Sequence, residues 1–230
     1  MHAGDDVRVV RCLDGLVMSF AILEHVQSDL YGSCLRIPSE KSFIPVAFWH
    51  CWSFVDTVHR IREVSLGTPG LSQRTPEFRL FEQATAGAED FRHYIQHLRE
   101  ELTKSPGNRF PVWGSLSWVD ADDPAVNHIV MAGARLGDTD YVGTWYDTVR
   151  GEWASRVALS VGGRSFNFDP IFEACCRFRD FVVPWLLKAY RPGIVLHEDV
   201  PMITVRLEMK PRQRPPSRLS RDDAEAPEKE

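Results

Sequence analysis

The stretch of sequence that decides the fold is residues 42–64, which read SFIPVAFWHCWSFVDTVHRIREV. Apolar side chains recur there at three- and four-residue steps and cover a wide arc of a helix. A helix of this kind is expected to be central and mostly buried. A narrow polar strip remains at Asp56, Arg60 and Glu63, and its spacing predicts ion pairs between successive turns.

Two more helices are predicted, one on either side of this central helix. Apolar residues recur from Leu13 to Leu30 as in an amphipathic helix, which Ile37-Pro38-Ser39 ends. Farther along, Thr75-Pro76-Glu77 supplies an N-cap, a proline at the first helical position and an early acidic residue. We therefore predict a third helix from there to about Lys104, loosened at Gly87.

The hydropathy pattern changes to a period of two in the second half of the chain. Residues 112–119 alternate between two faces, and residues 157–168 predict a hairpin that turns at Gly162-Gly163. A fourth helix is predicted from Asp169-Pro170 to about Tyr190, with a kink at Pro184. Other strands are predicted at 126–134, 141–146, 153–161 and 200–209.

These patterns together predict an α+β fold. A helical bundle spanning residues 1–105 precedes a strand-rich region, residues 110–209, in which one helix at about 170–190 packs on a small antiparallel β-sheet. Residues 210–230 carry a basic run and then an acidic run without apolar periodicity, which predicts a disordered tail.

Composition narrows the class of protein and its location. The net charge of −5 over 230 residues argues against a protein that coats nucleic acid nonspecifically, because such binding needs many clustered cations. The apolar runs fall short of the roughly 20 residues of a membrane span, and no secretory signal is visible. Five widely spaced cysteines, an odd number, are typical of a reducing compartment. We therefore expect a cytoplasmic protein with no membrane partner.

The segment that points most clearly to chemistry is residues 89–97, Glu-Asp-Phe-Arg-His-Tyr-Ile-Gln-His. On a continuous helix, Arg92 and His97 lie at opposite edges of one polar face, roughly 140° apart. His93 and Gln96 fill the middle of this face. The opposite side is a predicted core stripe of Phe91, Ile95, Leu98 and Leu102.

This set of side chains suits cleavage of a phosphodiester bond without a metal ion or cofactor. Histidine can take a proton from an attacking 2′-hydroxyl group, or give one to the leaving oxygen, near neutral pH. Arginine can stabilise the charge that builds on the phosphate oxygens. We predict that Arg92 binds the phosphate and that His97 is the general acid or base. The residues expected to assist or orient this pair are His93, Gln96, Asp56 and Arg60.

The run from Arg92 to His97 resembles the Arg-x(4–6)-His motif of the HEPN domain superfamily. In that superfamily the motif lies late in a helical bundle, after a long apolar helix, and an asparagine often follows the arginine where this chain has His93. The resemblance covers about residues 8–104. It implies a homodimeric, metal-independent endoribonuclease of toxin or defence type, with RNA as substrate and a protein partner or antitoxin that binds it. The superfamily also contains members that bind without cleaving.

A metal site is an alternative interpretation of the same helix. His93 and His97 are four residues apart and therefore share one helix face, as metal-binding histidine pairs do. This arrangement loosely resembles the metal-dependent four-helix proteins of the DinB-like type. The residues that could complete a ligand set are Glu89, Glu101, and either His59 or Asp56.

A non-catalytic interaction domain is the other alternative. Trp113 and Trp118 fall on opposite faces of one predicted strand, where they could stack on bases or on a protein partner's side chains. Aromatic packing between the sheet and the helices is the simpler interpretation of both residues. His50 and His59 have apolar neighbours in the sequence and are interpreted as core or boundary residues.

Overall fold

The computed structural model describes residues 3–103, 109–133 and 139–190, and it confirms the α+β fold. The helices within these ranges are α1 (Ala3–Arg36), α2 (Phe43–Gly67), α3 (Pro76–Thr85), α4 (Gly87–Gln96), α5 (Leu98–Thr103) and α6 (Phe168–Tyr190). The strands are β1 (Ser115–Val119), β2 (Asn127–Met131), β3 (Tyr146–Asp147), β4 (Glu152–Trp153), β5 (Val157–Val161) and β6 (Arg164–Asn167). The predicted strand at 200–209 and the predicted tail lie outside the described residues.

Helix α2 is the centre of the helical part, as its sequence predicts. It runs antiparallel to α1, because Cys12 near the start of α1 lies 3.9 Å from the carbonyl of Gly67, whereas Ser33 near its end lies 3.1 Å from His50. The buried side chains of α2 cover most of its circumference and include Phe54, which is fully enclosed. The helix therefore keeps only a narrow strip for polar residues.

An aromatic core joins the helices to the sheet. The ring of Phe54 on α2 meets Phe166 of β6 and Phe168 of α6 edge-on, with centroids 6.1 and 4.9 Å apart. Farther along α6, Phe178 stacks on Phe81 of α3 at 4.2 Å. These contacts belong to one continuous hydrophobic cluster that contains residues of α1, α2, α4, α6 and the four-stranded sheet.

The main sheet is antiparallel with the strand order β2-β1-β5-β6. The hairpin predicted at Gly162-Gly163 is confirmed, and both glycines have the positive φ that such a turn requires (54° and 81°). Within 112–119 only residues 115–119 form a strand, because Gly114 has φ +89° and interrupts the extended backbone. The strands predicted at 141–146 and 153–161 are mostly wrong in extent: β3 begins only at Tyr146, and β4 and β5 are separate strands.

The third predicted helix is not continuous. It divides into α3, α4 and α5, and the second break lies at His97, whose φ of −102° and ψ of 27° leave the helical range. The break changes the phase of the residues that follow. Leu102, predicted in the core stripe, is 60% exposed, whereas Tyr94 is buried and donates a hydrogen bond to the carbonyl of Val112 at 2.7 Å.

All five cysteines are free thiols. Cys34, Cys51 and Cys175 are buried, and burial raises the pKa of the Cys34 thiol to about 12. A thiol with so high a pKa is a poor nucleophile, so Cys34 serves as a small apolar residue. Among the helices described here, none is long and apolar enough to cross a membrane.

Replacing Gly114 tests the close approach of two strands. A Cβ atom at this position would lie 2.5 Å from the carbonyl oxygen of Ser160 and 2.8 Å from Cγ1 of Val161, and the positive φ adds strain. Gly114→Ala should therefore lower the free energy of unfolding by about 2 kcal/mol or more, as measured by urea denaturation.

The matched control is Gly32→Ala in the interior of α1, where a Cβ atom has no neighbour within 4 Å. Alanine is the better helix former, so this variant should be more stable by about 0.5–1 kcal/mol. Equal stability of Gly114→Ala and the parent chain would contradict the described register at this strand end.

Candidate functional site

The aromatic packing of α4 determines which of its residues reach the surface. Phe91 and Tyr94 are buried against Trp52 of α2, with ring centroids 6.4 Å away in both cases, and Phe91 also meets Phe166 of β6 at 5.2 Å. With this side of α4 anchored, Arg92 turns toward α2, and the face opposite the buried rings is left to solvent.

Arg92 and Arg60 share a single carboxylate. Arg60 Nε lies 2.7 Å from Oδ2 of Asp56, and Arg92 Nε lies 3.4 Å from Oδ1 of the same side chain. The first contact confirms the ion pair predicted between successive turns of α2. Two guanidinium groups share this one carboxylate, and the Arg92 side chain is still 32% exposed, so that its guanidinium can reach a ligand.

His59 adjoins this trio, and its place there was not anticipated from the sequence. Its Nδ1 is buried and has no hydrogen-bond partner within the described part of the chain. Burial lowers the pKa of His59, and the nearby charge of Arg92 lowers it further, whereas Glu63, Asp56 and Glu89 act in the opposite direction. The imidazole is therefore held neutral beside a cation. The sequence signal was its position one turn after Asp56 on the polar strip of α2.

His97 belongs to a second cluster, at the end of α4. Its ring lies against that of His93, with centroids 4.3 Å apart, and its Nδ1 is 3.4 Å from Oε1 of Glu100. The backbone N–H of His97 still donates to the carbonyl of His93 at 3.0 Å, which fixes the ring at the junction with α5. The His97 side chain is 43% exposed and open to a ligand.

The predicted residues therefore form two clusters on opposite flanks of α4. Arg92 is grouped with Asp56 and Arg60, whereas His97 is grouped with His93. No contact between Arg92 and His97 is present among the described residues, and Gln96 lies exposed on α4. A single chain thus presents the arginine and the histidine along the two edges of one surface and does not bring them together.

Arg62 is a structural residue that the sequence did not single out. Its side chain is only 12% exposed, and its Nη1 donates to the carbonyl of Glu82 at 2.9 Å and to Oγ1 of Thr85 at 2.8 Å. It thereby ties α2 to the end of α3 and satisfies a buried hydroxyl group.

The residues of the metal alternative are not assembled into a site. Across residues 3–103, 109–133 and 139–190, no group of three or more histidine, cysteine, aspartate or glutamate side chains is arranged to hold a metal ion. His93 and His97 do adjoin each other, but His59 faces Arg92 on the other flank. A cation at His59 would meet the repulsion of that guanidinium.

The two tryptophans of the interaction-domain alternative have different environments. Trp118 is 3% exposed and stacks on His128, whose Nε2 lies 2.7 Å from Oδ2 of Asp120. Trp113 precedes β1 and is 48% exposed. Trp118 is therefore a packing residue, and only Trp113 offers an aromatic surface to a ligand.

Comparison with known proteins gives no match: no family model fits the sequence, and no curated protein or solved structure shows significant similarity to it. The geometry of α2 and α4 consequently carries the functional argument by itself.

The pKa of His59 provides a test of the cluster. Because the folded-state pKa lies below the ordinary value near 6.5, the contribution of neutral His59 to stability is complete above that pH and is lost as the pH falls through the folded-state pKa.

Arg92→Ala removes the neighbouring positive charge and should raise the pKa of His59 toward its ordinary value, as followed by NMR titration of the imidazole protons.

Arg99→Ala is the matched control, since Arg99 lies on α5 and does not contribute to the shift at His59. It should leave the titration midpoint unchanged. An unchanged midpoint in Arg92→Ala would mean that the guanidinium does not lie beside this histidine.

Proposed function

We propose that this protein is a HEPN-like, metal-independent endoribonuclease of toxin or defence type that acts in the cytoplasm as a homodimer. The observation that carries the proposal is the shared carboxylate: Asp56 holds Arg92 beside Arg60, and the part-exposed guanidinium of Arg92 remains accessible to a phosphate. The part-exposed imidazole of His97, directly after the end of α4, supplies a side chain of the type that transfers protons near neutral pH.

The reaction suited to these groups is attack of a ribose 2′-hydroxyl on the adjacent phosphorus. A histidine takes the 2′-hydroxyl proton, the new oxygen–phosphorus bond forms, and the bond to the 5′-oxygen breaks. The leaving oxygen receives a proton from a second acid, and a 2′,3′-cyclic phosphate and a 5′-hydroxyl remain. Arg92 stabilises the charge that develops on the phosphate oxygens, and no metal ion is needed.

The supporting residues follow from their contacts. Asp56 and Arg60 orient Arg92, because the carboxylate receives both guanidinium groups. His93 lies against the ring of His97 and restricts its rotation. Gln96 is exposed on α4, where its amide can donate a hydrogen bond to the substrate.

A homodimer would bring the two flanks of α4 together. Arg92 and His97 do not meet within one chain, whereas a twofold axis along the exposed face of α4 places the arginine of each chain opposite the histidine of the other. An isologous interface of this kind forms two equivalent sites. A protein partner or antitoxin bound to the same face would block both.

Cleavage of RNA in the presence of a chelator tests the function. The parent protein should cut a single-stranded RNA, whereas Arg92→Ala and His97→Ala should each lose about 10²-fold or more in rate, the usual loss when a positioned acid or base is removed. Gel analysis of end-labelled RNA gives the rates.

His25→Ala is a suitable control, because His25 is a surface histidine of α1 whose side chain is 82% exposed and lies far from α4 in the sequence. Its rate should equal that of the parent. Absence of cleavage by the parent, or equal rates in all four proteins, would refute an endoribonuclease and favour a binding protein.

A further inference from the structure

An apolar groove of about 510 Å³ lies beside the candidate site. It is bounded by the first half of α2, by α4, and by the residues just before β1 and just after β2, which meet at one end of this antiparallel strand pair. Its walls carry three tryptophans and almost no polar surface. The residues that form them include Phe48, Trp49, Trp52, Ile95, Trp113 and Ala132.

Two of the tryptophans are exposed although each has a large apolar surface. Trp49 is 64% exposed and Trp113 is 48% exposed, and they stand on different elements of the groove wall. Trp52, which also lines the groove, stacks on Tyr94 with ring planes only 6° apart. Exposed aromatic side chains that line a concave apolar surface are typical of binding sites.

The groove is continuous with the arginine cluster. Trp52 and Asp56 are one turn apart on α2, and Ile95 and Arg92 are one turn apart on α4. The wall pair Trp52 and Ile95 is therefore followed, about 5.4 Å along the helices, by the ion pair of Asp56 and Arg92. A flat ligand in the groove would place an attached anionic group beside this guanidinium.

We propose that the groove binds an unpaired base of single-stranded RNA, stacked on Trp49 and Trp113, while Arg92 holds the neighbouring phosphate. This assignment rests on the proposed action on RNA and specifies its substrate class. Aromatic side chains next to a cation are the combination by which proteins bind single strands without reading their sequence. The part-exposed guanidinium of Arg92 complements a phosphate and gives no advantage to an apolar peptide. Bases of a duplex stack on one another and cannot enter.

The test measures binding of fluorescein-labelled single-stranded RNA by anisotropy, with every variant made in full-length His97→Ala protein so that the RNA stays intact. Trp49→Ala and Trp113→Ala should each weaken binding by about 5- to 100-fold, the range for loss of one stacked base. Trp49→Phe should restore part of the affinity. Trp145→Ala, at an equally exposed tryptophan outside the groove, should bind as the parent does.

Each other outcome is decisive. Unchanged binding in Trp49→Ala and Trp113→Ala, or equal affinity for a duplex of the same sequence, overturns the groove assignment. Weaker binding that accompanies dissociation of a dimer overturns it too, because the groove would then be an interface between copies. If the parent cleaves RNA but binding does not depend on the tryptophans, the nuclease proposal holds and the groove assignment is wrong. If binding depends on the tryptophans but the parent does not cleave RNA, the groove assignment holds and the nuclease proposal is wrong.

Discussion

The burial of α2 is the constraint on which the rest of the structure depends. Its apolar side chains face α1, α4 and the sheet, so its polar side chains are confined to one strip. Helix α4 crosses this strip and presents Arg92 to it. Asp56 lies on this strip, and its carboxylate accepts both guanidinium groups, which stabilise its charge. The position of the Asp56–Arg92 contact therefore follows from the one strip of α2 that is left for charged side chains.

The elements with strong local patterns could be predicted from the sequence. The helices α1 and α2, the N-cap at Thr75, the glycine turn of β5–β6 and the last helix follow from periodicity and from turn chemistry, which act within a few residues. The break at His97 could not be predicted, because no glycine, proline or other helix-ending signal lies there. Leu102 lies beyond this break, so its exposure could not be predicted either.

The candidate site shows a similar division. The sequence predicted the placement of Arg92 and His97 at opposite edges of one polar face. It also predicted the ion pair of Asp56 and Arg60. The contact of Asp56 with Arg92 spans 36 positions and required the fold. The lowered pKa of His59 and the groove at Trp49 likewise depend on how α2 and α4 pack. The identity of a residue does not show whether its side chain is buried, so neither feature could be predicted from the sequence. The tertiary contact between Asp56 and Arg92 thus specifies an arrangement of charges that the sequence motif does not.

The central claim is that one working site needs the arginine of one chain and the histidine of another. Its most direct test is a heterodimer of Arg92→Ala and His97→Ala chains, isolated through two different affinity tags and assayed with RNA in chelator. One of its two sites retains both groups, so it should show about half the rate of the parent dimer, although each variant homodimer is inactive. A heterodimer as inactive as the two homodimers would contradict the claim.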